Sequence, residues 1–452
     1  MTTIDRPVTE DGSLTNGHLD RLLAEMDRDL VRGMVSPQAF NDPEVHRAEL
    51  ERIFTRCWVF VGHVSEIPNC GDYVLRYVGE DQFILVRDEN NQIQLLLNNC
   101  AHRATAVCRA EKGNTSHFRC PYHGWIYKNS GEWNGAPKRR QTYRALNPAE
   151  WGLQRAPLVD VYQGLIFACL DPNAVSLREY LGDMAWYLDV TFGIQEQGMK
   201  VFADAQRWMV PGNWKSGADN FVGDAFHVQS AHRSAEEIGI IQNISSTTDT
   251  VHLVAVDGGH GILSHERILP EPWGVQNYPP DVAALFDLNR VDANQRKFLD
   301  KYFVIGFNVF PNFGMVSTIG PGEDGMPIVY TSLRQYQPRG PEKFELWTWP
   351  MVWSAAPAEF NEASHHAAVQ NFGAAGLFEQ DDTVVWAGAA SAGRSPFARK
   401  FMKLNYQLGL DGMSDFEPLP DWPGPGFAST TGYGERNQRQ FWQHWRKVLG
   451  QA

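Results

Sequence analysis

Residues 100–125 read CAHRATAVCRAEKGNTSHFRCPYHGW. Cys100-x-His102 is followed, after 17 intervening residues, by Cys120-x-x-His123, so each half supplies one thiol and one imidazole. Cys108 and His117 lie between the halves, outside this repeated pairing. A structural zinc site is the plain alternative, since zinc commonly takes two Cys and two His. In zinc fingers, however, the cysteines pair with each other and so do the histidines. Mixed knuckles suit a [2Fe–2S] cluster in which one iron takes the thiolates and the other the imidazoles.

Outward from this stretch the chain changes character twice. "DYVLRYVG", "QFILVRDENNQIQLLLNN", "HFRCPYHGWIYKNSGEW" and "GLIFACL" are short runs rich in β-branched and aromatic residues, parted by Gly, Asn and Asp turns. They predict an all-β module over residues 56–172 that contains the opening stretch. Before it, Leu19–Gly33 and Asp42–Trp58 carry helical apolar spacing behind a polar tail over 1–20. After it, helices are expected near Ser176–Leu188, Ser216–Ile238, Pro357–Gly388 and Glu435–Leu449. Strands are expected around Met199–Val210, Thr248–Val256, Phe303–Phe310, Pro327–Tyr336 and Glu345–Trp353. The fold class is α+β: an all-β module inserted in a larger domain of helices and an antiparallel sheet, built from residues 1–55 and 173–452.

The totals narrow the functions. With 43% hydrophobic and 21% charged residues, the 452-residue chain has an ordinary globular composition. No apolar run approaches the roughly 20 residues of a membrane span, and the first residues lack the apolar core of a signal peptide. A cytoplasmic protein is expected. The formal charge of -13 argues against nucleic-acid binding, which needs a basic footprint. Six cysteines are too sparse for a disulfide scaffold, and three of them fall within 21 residues, each near a histidine. Cys57, Cys70, Cys108 and Cys169 read as ordinary thiols.

A second constellation lies in "NWKSGADNFVGDAFHVQSAHRS". Asp224 and His227, three apart, share a helical face. His232 is five beyond His227, about 140° off in a straight helix, so the helix must be distorted for both rings to meet. Two histidines and one carboxylate make the facial triad of a non-haem Fe(II) site. "GLFEQDDTVVW" offers Glu379, Asp381 and Asp382. Read singly, a helical His pair is more often an ordinary core or surface pair, and Asp-Asp a solvated face.

"CAHR…CPYHGW", with its trailing Gly124-Trp125, resembles the Rieske cluster motif. Asn220, Asp224, His227 and His232 resemble the ungapped Asn-x-x-x-Asp-x-x-His-x4-His run of Rieske non-haem iron ring-hydroxylating dioxygenases. The likeness covers nearly the whole chain and is to the large (α) subunit, in the naphthalene and biphenyl dioxygenase group. It implies that Cys100, His102, Cys120 and His123 hold the [2Fe–2S] cluster. It also implies that His227, His232 and Asp382 hold a mononuclear Fe(II), with Asp381 the runner-up. Asp224 would be the carboxylate that bridges a Rieske histidine, His123, of one chain and His227 of its neighbour, with Asn220 beside it. Asp219 stands where the family usually has Glu.

The same resemblance implies a homotrimer of this chain within an α3β3 hexamer completed by a small β subunit. It implies a ferredoxin and an NADH-dependent reductase upstream, and addition of both atoms of O2 to an aromatic ring. Phe221, Phe226, Phe372 and Phe378 are expected to line the substrate cavity. The small residues Gly223, Ala225, Gly373, Ala374, Ala375 and Gly376 are expected to leave room for a flat polycyclic arene such as phenanthrene or pyrene. Three alternatives remain at this point, the first being monooxygenation or demethylation on the same scaffold, since the metal motifs do not choose the outcome. An aromatic carboxylate such as phthalate would need a buried cation, for which Arg207, Lys215, Arg233 and Arg267 are available. An electron carrier would use the cluster alone. A basic group around the cluster motif (Arg103, Arg109, Lys112, Arg119, Lys128, Lys138, Arg139, Arg140) suits an acidic ferredoxin or a mixed solvated face.

Overall fold

The computed structural model describes residues 17–239, 249–270, 272–322, 325–410 and 417–450. Residues 1–16 of the expected tail, and Thr248 at the start of an expected strand, lie outside them.

The β module is built from short antiparallel strands. Ile93–Leu97, Asp81–Arg87, Asp72–Val78 and Lys112–Asn114 form a four-stranded sheet in that order. His117–Arg119, Ile126–Lys128 and Trp133–Gly135 form a three-stranded sheet. Alternate residues Tyr73, Leu75, Ile84 and Val86 of the first pack in one core with Phe118, Tyr127 and Trp133 of the second and with Trp125 just before its middle strand. A further sheet pairs Leu165–Cys169 with both Leu158–Tyr162 and Val59–His63. The strand that leaves the module therefore lies beside the one that enters it, which is what an inserted unit requires.

The larger sheet has nine strands, all pairings antiparallel. Its order is Met199–Val201, Phe344–Trp353, Pro327–Pro338, Phe313–Pro321, Tyr302–Val309, His260–Glu266, Val251–Val256 and Phe427–Ala428, with Gln206–Val210 also on Phe344–Trp353. The expected strand Met199–Val210 is thus two strands. His260–Glu266 and Phe313–Pro321 are strands the hydrophobic pattern hides. In the first, polar His260, Ser264 and His265 are buried, so neither face reads as apolar. Within the Pro/Gly-rich connection after Glu417, Phe427–Ala428 adds a short edge strand.

The helices cover this sheet. Trp214–Phe221, Ala358–Phe372 and Leu377–Arg394 pack together on it, and Arg436–Leu449 packs across its other end. The single helix expected over Pro357–Gly388 breaks at Gly373, where the backbone turns extended. The one expected over Ser216–Ile238 is three pieces: Trp214–Phe221, Val228–Ala231 and Arg233–Glu237. Gly17–Leu30 packs on Arg436–Leu449, with Arg446 Nη2 2.7 Å from Asp27 Oδ2.

Two polar networks fix these parts together. Lys215 Nζ lies 2.5 Å from Glu49 Oε1, both side chains fully buried. Trp214 Nε1 and Trp445 Nε1 donate to the same carboxylate, so the N-terminal segment, the Asn220 helix and the last helix share one anchor. At the module boundary Glu66 pairs with Arg76 and accepts from Trp349 Nε1 at 2.9 Å. There too the Phe60 ring stacks on Phe313 at 4.1 Å.

Candidate active site

The two knuckles of the opening stretch have the same backbone. Ala104 N–H donates to Cys100 O and Cys100 N–H to Thr105 O; Gly124 N–H donates to Cys120 O and Cys120 N–H to Trp125 O. The fifth residue of each turn is left-handed, Ala104 at φ 56° and Gly124 at φ 70°. Glycine meets that demand at no steric cost. Both thiols are buried, and the imidazoles of His102 and His123 stand at the half-exposed rim, ring centroids 4.7 Å apart. Trp125 stacks on His102 at 5.0 Å, and Tyr122 covers His123 at 3.7 Å. Tyr127 Oη lies 3.1 Å from Cys100 Sγ.

This pocket fits a cluster. His123 Nδ1 is buried with no hydrogen-bond partner, a nitrogen left for a metal. Among the described residues, one group of at least three His, Cys, Asp or Glu brings its ligand atoms within 4.8 Å of one another, and it is not this one. The Cys/His set therefore spans more than a single zinc ion takes. His117 turns away to Ser116 and Asn134, and Cys108 Sγ faces Ala110 O.

The compact group is His227, His232 and Asp382. The helix Val228–Ala231 between the two histidines is a single turn and ends at His232, whose backbone is non-helical (φ -102°, ψ 16°), so the five-residue spacing does not follow a straight helix. His227 Nε2 and His232 Nε2 lie 3.5 and 3.4 Å from the same oxygen, Asp382 Oδ1. That oxygen is buried and makes no hydrogen bond. Ligands about 2.1 Å from one ion and at right angles stand about 3 Å apart, so the set suits a single divalent cation. The electrostatics agree. Burial pushes the Asp382 carboxyl up, but both imidazoles outweigh it and hold the carboxyl well below its usual range. Burial pulls His227 down, but Asp224 and Asp382 raise it well above the usual imidazole range. The site draws positive charge, which a bound cation supplies.

Each imidazole also has an acceptor behind it. His227 Nδ1 contacts the Asp224 backbone carbonyl and lies 3.6 Å from Asp224 Oδ1. Asn220 Nδ2 reaches Asp224 Oδ2 at 3.4 Å. His232 Nδ1 lies 3.3 Å from Asp381 Oδ2. Of the adjacent aspartates, Asp382 faces the two histidines and Asp381 stands behind one of them. Such partners orient an imidazole and raise its basicity. Asp219 is half-buried, hydrogen-bonded by Tyr406 and Trp442, and desolvation pushes its carboxyl well above the usual range.

Three of the four phenylalanines meet beside these ligands. Phe378 contacts His232 edge-on at 4.9 Å and Phe372 lies 5.5 Å from Phe378. Phe221 and Phe372 both lie against the guanidinium carbon of Arg334, at 4.7 and 5.3 Å. Phe226 packs elsewhere, its ring stacked on Tyr433 at 6.4 Å. The small residues do not open room either. A Cβ at Gly223 would meet Asn437 at 2.6 Å, and one at Gly373 or Gly376 would meet helix backbone at 2.5 Å. These positions let chain segments approach, while Ala225 packs with Val251, Leu253 and Leu263. Ala374 and Ala375 are exposed.

The four cations considered for a substrate carboxylate are engaged elsewhere. Lys215 pairs with Glu49, Arg207 with Glu111 and Glu345, and Arg233 with Glu237; Arg267 donates to the Trp273 carbonyl. The buried cation at this site is Arg334, ion-paired with Glu379 on the Asp382 helix. Burial pushes Glu379 up to about 7 against the pull of Arg334. Its signal in sequence was a charged residue inside a strand of otherwise buried positions.

Residues 57–157 match the Rieske [2Fe-2S] domain, and residues 177–451 the catalytic domain of the ring hydroxylating alpha subunit. The N,N-dimethyl phenylurea N-demethylase subunit alpha of Sphingobium sp. (strain YBL2) is 40% identical, over 96% of this chain and 95% of the relative. A benzene 1,2-dioxygenase subunit alpha of Pseudomonas putida is 31% identical, over 92% of this chain and 91% of the relative. The crystal structure of naphthalene 1,2-dioxygenase from Rhodococcus sp. bound to indole superposes with a TM-score of 0.89 at 39% identity, covering 97% of this chain and 99% of that one. Among the described residues no helix is long and apolar enough to cross a membrane. With a Rieske domain and a mononuclear iron domain that match over most of its length, the chain belongs to the alpha subunits of Rieske ring-hydroxylating oxygenases, oxidoreductases that carry a [2Fe–2S] cluster and a mononuclear iron.

Proposed function

We propose that this chain is the large subunit of a cytoplasmic terminal oxygenase that adds both atoms of O2 to a polycyclic arene such as phenanthrene or pyrene. Arene, O2, two electrons and two protons give the cis-dihydrodiol. The observation that carries the reading is the three-ligand site of His227, His232 and Asp382, with Phe372 and Phe378 ring against ring beside it. An electron carrier has no use for that site. We assign residues 56–172 to the cluster domain and residues 1–55 and 173–452 to the oxygenase domain, supported by the packing of Gly17–Leu30 on Arg436–Leu449.

In this reading Cys100, Cys120, His102 and His123 hold the cluster, and His227, His232 and Asp382 the iron. When bound, the cluster supplies single electrons and the iron a place where O2 is reduced. The remaining work belongs to side chains. Asp381 holds the proton of His232 Nδ1 and so keeps Nε2 facing Asp382. Asn220 Nδ2 holds Asp224 Oδ2 at 3.4 Å and the buried Oδ1 faces His227 Nδ1 at 3.6 Å, so the 25% exposed carboxylate joins this imidazole to the surface of the chain. We assign it as the link between His227 and His123 of the partner subunit in a homotrimer. Phe221, Phe372 and Phe378 orient a flat ring and exclude water. Electrons would come from NADH through a reductase and an acidic ferredoxin docked on the basic rim of Arg103, Arg109 and Arg119. A small β subunit would complete the α3β3 hexamer.

A second reading is oxidative N-demethylation, which the 40% identity to a phenylurea N-demethylase subunit favours. A single-turnover assay separates the two. The reduced protein, freed of excess reductant, is mixed with ¹⁸O2 and phenanthrene or a dimethyl phenylurea. A phenanthrene dihydrodiol carrying both labelled atoms is expected. Formaldehyde and the monomethyl urea alone would replace the first reading by the second.

A further inference from the structure

The two imidazoles of the cluster site have different aromatic neighbours. Tyr122 covers His123, the ring assigned to the contact with a partner subunit. Trp125 stacks on His102, ring centroids 5.0 Å apart and 6° from parallel. Trp125 is itself only 2% exposed, but the line of rings continues. Its Nε1 donates to Tyr143 Oη at 3.3 Å, and its ring meets that of Trp151 edge-on at 6.1 Å. Trp151 opens to solvent, 38% exposed. Packed rings therefore run from a cluster imidazole to the surface, where an indole is an uncommon group to leave uncovered.

The segment that carries Tyr143 and leads to Trp151 is basic. Residues 133–149 hold Lys138, Arg139, Arg140 and Arg144 and no carboxylate, within a chain of formal charge -13. All four are exposed, and none makes an ion pair among the described residues. Glu150, the next acid, is held by Asn147 Nδ2 at 2.8 Å. Arg139 lies over the Trp133 ring at 4.7 Å, and Trp133 packs on Trp125 at 5.3 Å, so the cations are tied to the same aromatic group. Arg119 of the basic rim adjoins this segment: a Cβ on Gly124 would stand 3.5 Å from Arg119 Nη2 and 3.0 Å from Pro137.

We propose that Trp151 is the anchor of the docking surface for the electron donor, an acidic one-electron iron–sulfur carrier protein, and that the electron enters on the His102 side. The inference rests on the reading of an acidic ferredoxin at the basic rim, and names the residue it seats on and the imidazole it faces. Binding energy at protein interfaces concentrates on a few Trp, Tyr and Arg side chains inside a polar rim. Cations of one sign steer and orient an acidic partner. The stack on a cluster imidazole selects a redox protein over other acidic partners. One electron leaves the reduced carrier, which is oxidised, and is taken up at the cluster; no covalent bond forms or breaks. Entry beside His102 leaves His123 to the partner subunit.

Stopped-flow absorption under argon follows cluster reduction in the oxidised holoenzyme by a reduced acidic [2Fe–2S] ferredoxin, the one of a panel that reduces the wild type fastest. Calorimetry of the two oxidised proteins gives its Kd. The methyl viologen radical, too small to need a docking surface, is the control reductant. The variants are Trp151→Ala, Arg140→Gln/Arg144→Gln, and Arg103→Gln/Arg109→Gln for the rim alone, each checked by thermal unfolding and by the visible spectrum of the cluster. Trp151→Ala is expected to weaken ferredoxin binding at least about tenfold, the loss of an aromatic anchor, with reduction by the viologen unchanged. Arg140→Gln/Arg144→Gln leaves the packed rings alone, and is expected to slow reduction by ferredoxin at least about threefold at low salt and less at high salt. Unchanged affinity in folded Trp151→Ala, or an unchanged rate in Arg140→Gln/Arg144→Gln, overturns the inference. Equal slowing of ferredoxin and viologen by Trp151→Ala also overturns it, because the ring then serves the cluster and not the carrier. A smaller oligomeric mass of Trp151→Ala by light scattering does the same, with a second copy of the chain as the occupant. The rim variant tells which reading failed. If it alone slows ferredoxin, the rim stands and the anchor falls. If no variant slows ferredoxin, or no ferredoxin of the panel reduces the wild type, the carrier reading fails and the anchor falls with it.

Discussion

Asp381 Oδ2 stands 3.3 Å behind His232, at Nδ1, and so turns the ring's Nε2 toward the neighbouring aspartate. Adjacent residues on one helix thereby take different tasks. Asp382, with a side chain 2% exposed, is expected to be a ligand, and Asp381, 32% exposed, to hold that ring in place. Asp382→Ala should lose the mononuclear iron and all product while keeping the visible absorption of the cluster. Asp381→Asn should keep the iron at equal loading but lower its affinity or the turnover by about 10–100-fold, as removal of an imidazole's partner does elsewhere. Iron analysis beside the absorption spectrum separates the cases, and loss of iron in Asp381→Asn alone would reverse the roles.

Asp224 has one oxygen held by Asn220 and the other 3.6 Å from His227 Nδ1. Asp224→Asn removes the charge and keeps the shape. Both metals should remain, while oxidation of the reduced cluster by O2 and substrate, followed by stopped-flow absorption, should slow by at least about 100-fold, on the order of 3 kcal/mol. Normal cluster oxidation with poor product yield would instead place Asp224 in the handling of substrate.

The cluster site was legible in sequence because each knuckle is local. Cys100 to His102 and Cys120 to His123 are spanned by one turn, and the backbone of residues 100–105 repeats in 120–125. The iron site was legible only in part. His227 and His232 are too far apart around a straight helix, and the sequence does not show that the short Val228–Ala231 helix ends at His232, whose backbone is non-helical. Phe226, placed with the pocket by its position in the run, packs on Tyr433, a contact with a residue about 200 positions away that no local pattern announces. Arg334 and Glu379, 45 residues apart, could not be paired by any local rule. A lone charge in a strand reads as solvent-facing until the neighbouring strands and the Leu377–Arg394 helix bury it. The glycines near the ligands misled for a related reason: a missing side chain signals space, but Asn437 fills it at Gly223 and the last turn of the Ala358–Phe372 helix fills it at Gly373 and Gly376.

Tyr127 is buried, and its hydroxyl lies 3.1 Å from both Cys100 Sγ and the Ala101 nitrogen. The amide can only donate, so the phenol accepts from it and points its own proton at the sulfur. A donor on a ligating sulfur favours the reduced, more negative cluster. Tyr127→Phe should therefore lower the reduction potential, by on the order of 50 mV for one such hydrogen bond, without loss of cluster. Protein-film voltammetry reads the shift; an unchanged or raised potential would mean the hydroxyl does not donate to Cys100.

His260 sets part of the acid limit of stability. It is fully buried; its Nδ1 accepts from the Phe310 N–H at 3.0 Å and its Nε2–H donates to the Tyr180 carbonyl at 3.2 Å. Neither nitrogen has room for a further proton. Burial pulls the ring down to about 4, and Tyr180 and Asp257 only partly offset it. His444, beside it, is pulled down to about 3 by burial, by His260 and by Lys447, so the two rings cannot share a charge. The unfolded chain binds a proton at His260 near pH 6.5 and the folded chain only near pH 4. Between these values the unfolded state holds more protons, so stability rises with pH. It is complete above about pH 6.5 and falls progressively below it, by about 3 kcal/mol at this residue once pH passes below 4. His260→Gln keeps one acceptor and one donor and cannot titrate. Urea unfolding at pH 7, 6 and 5 should show a slope of stability against pH shallower than wild type by about one proton. An equal slope in the two proteins would mean that the acid limit is set by other groups.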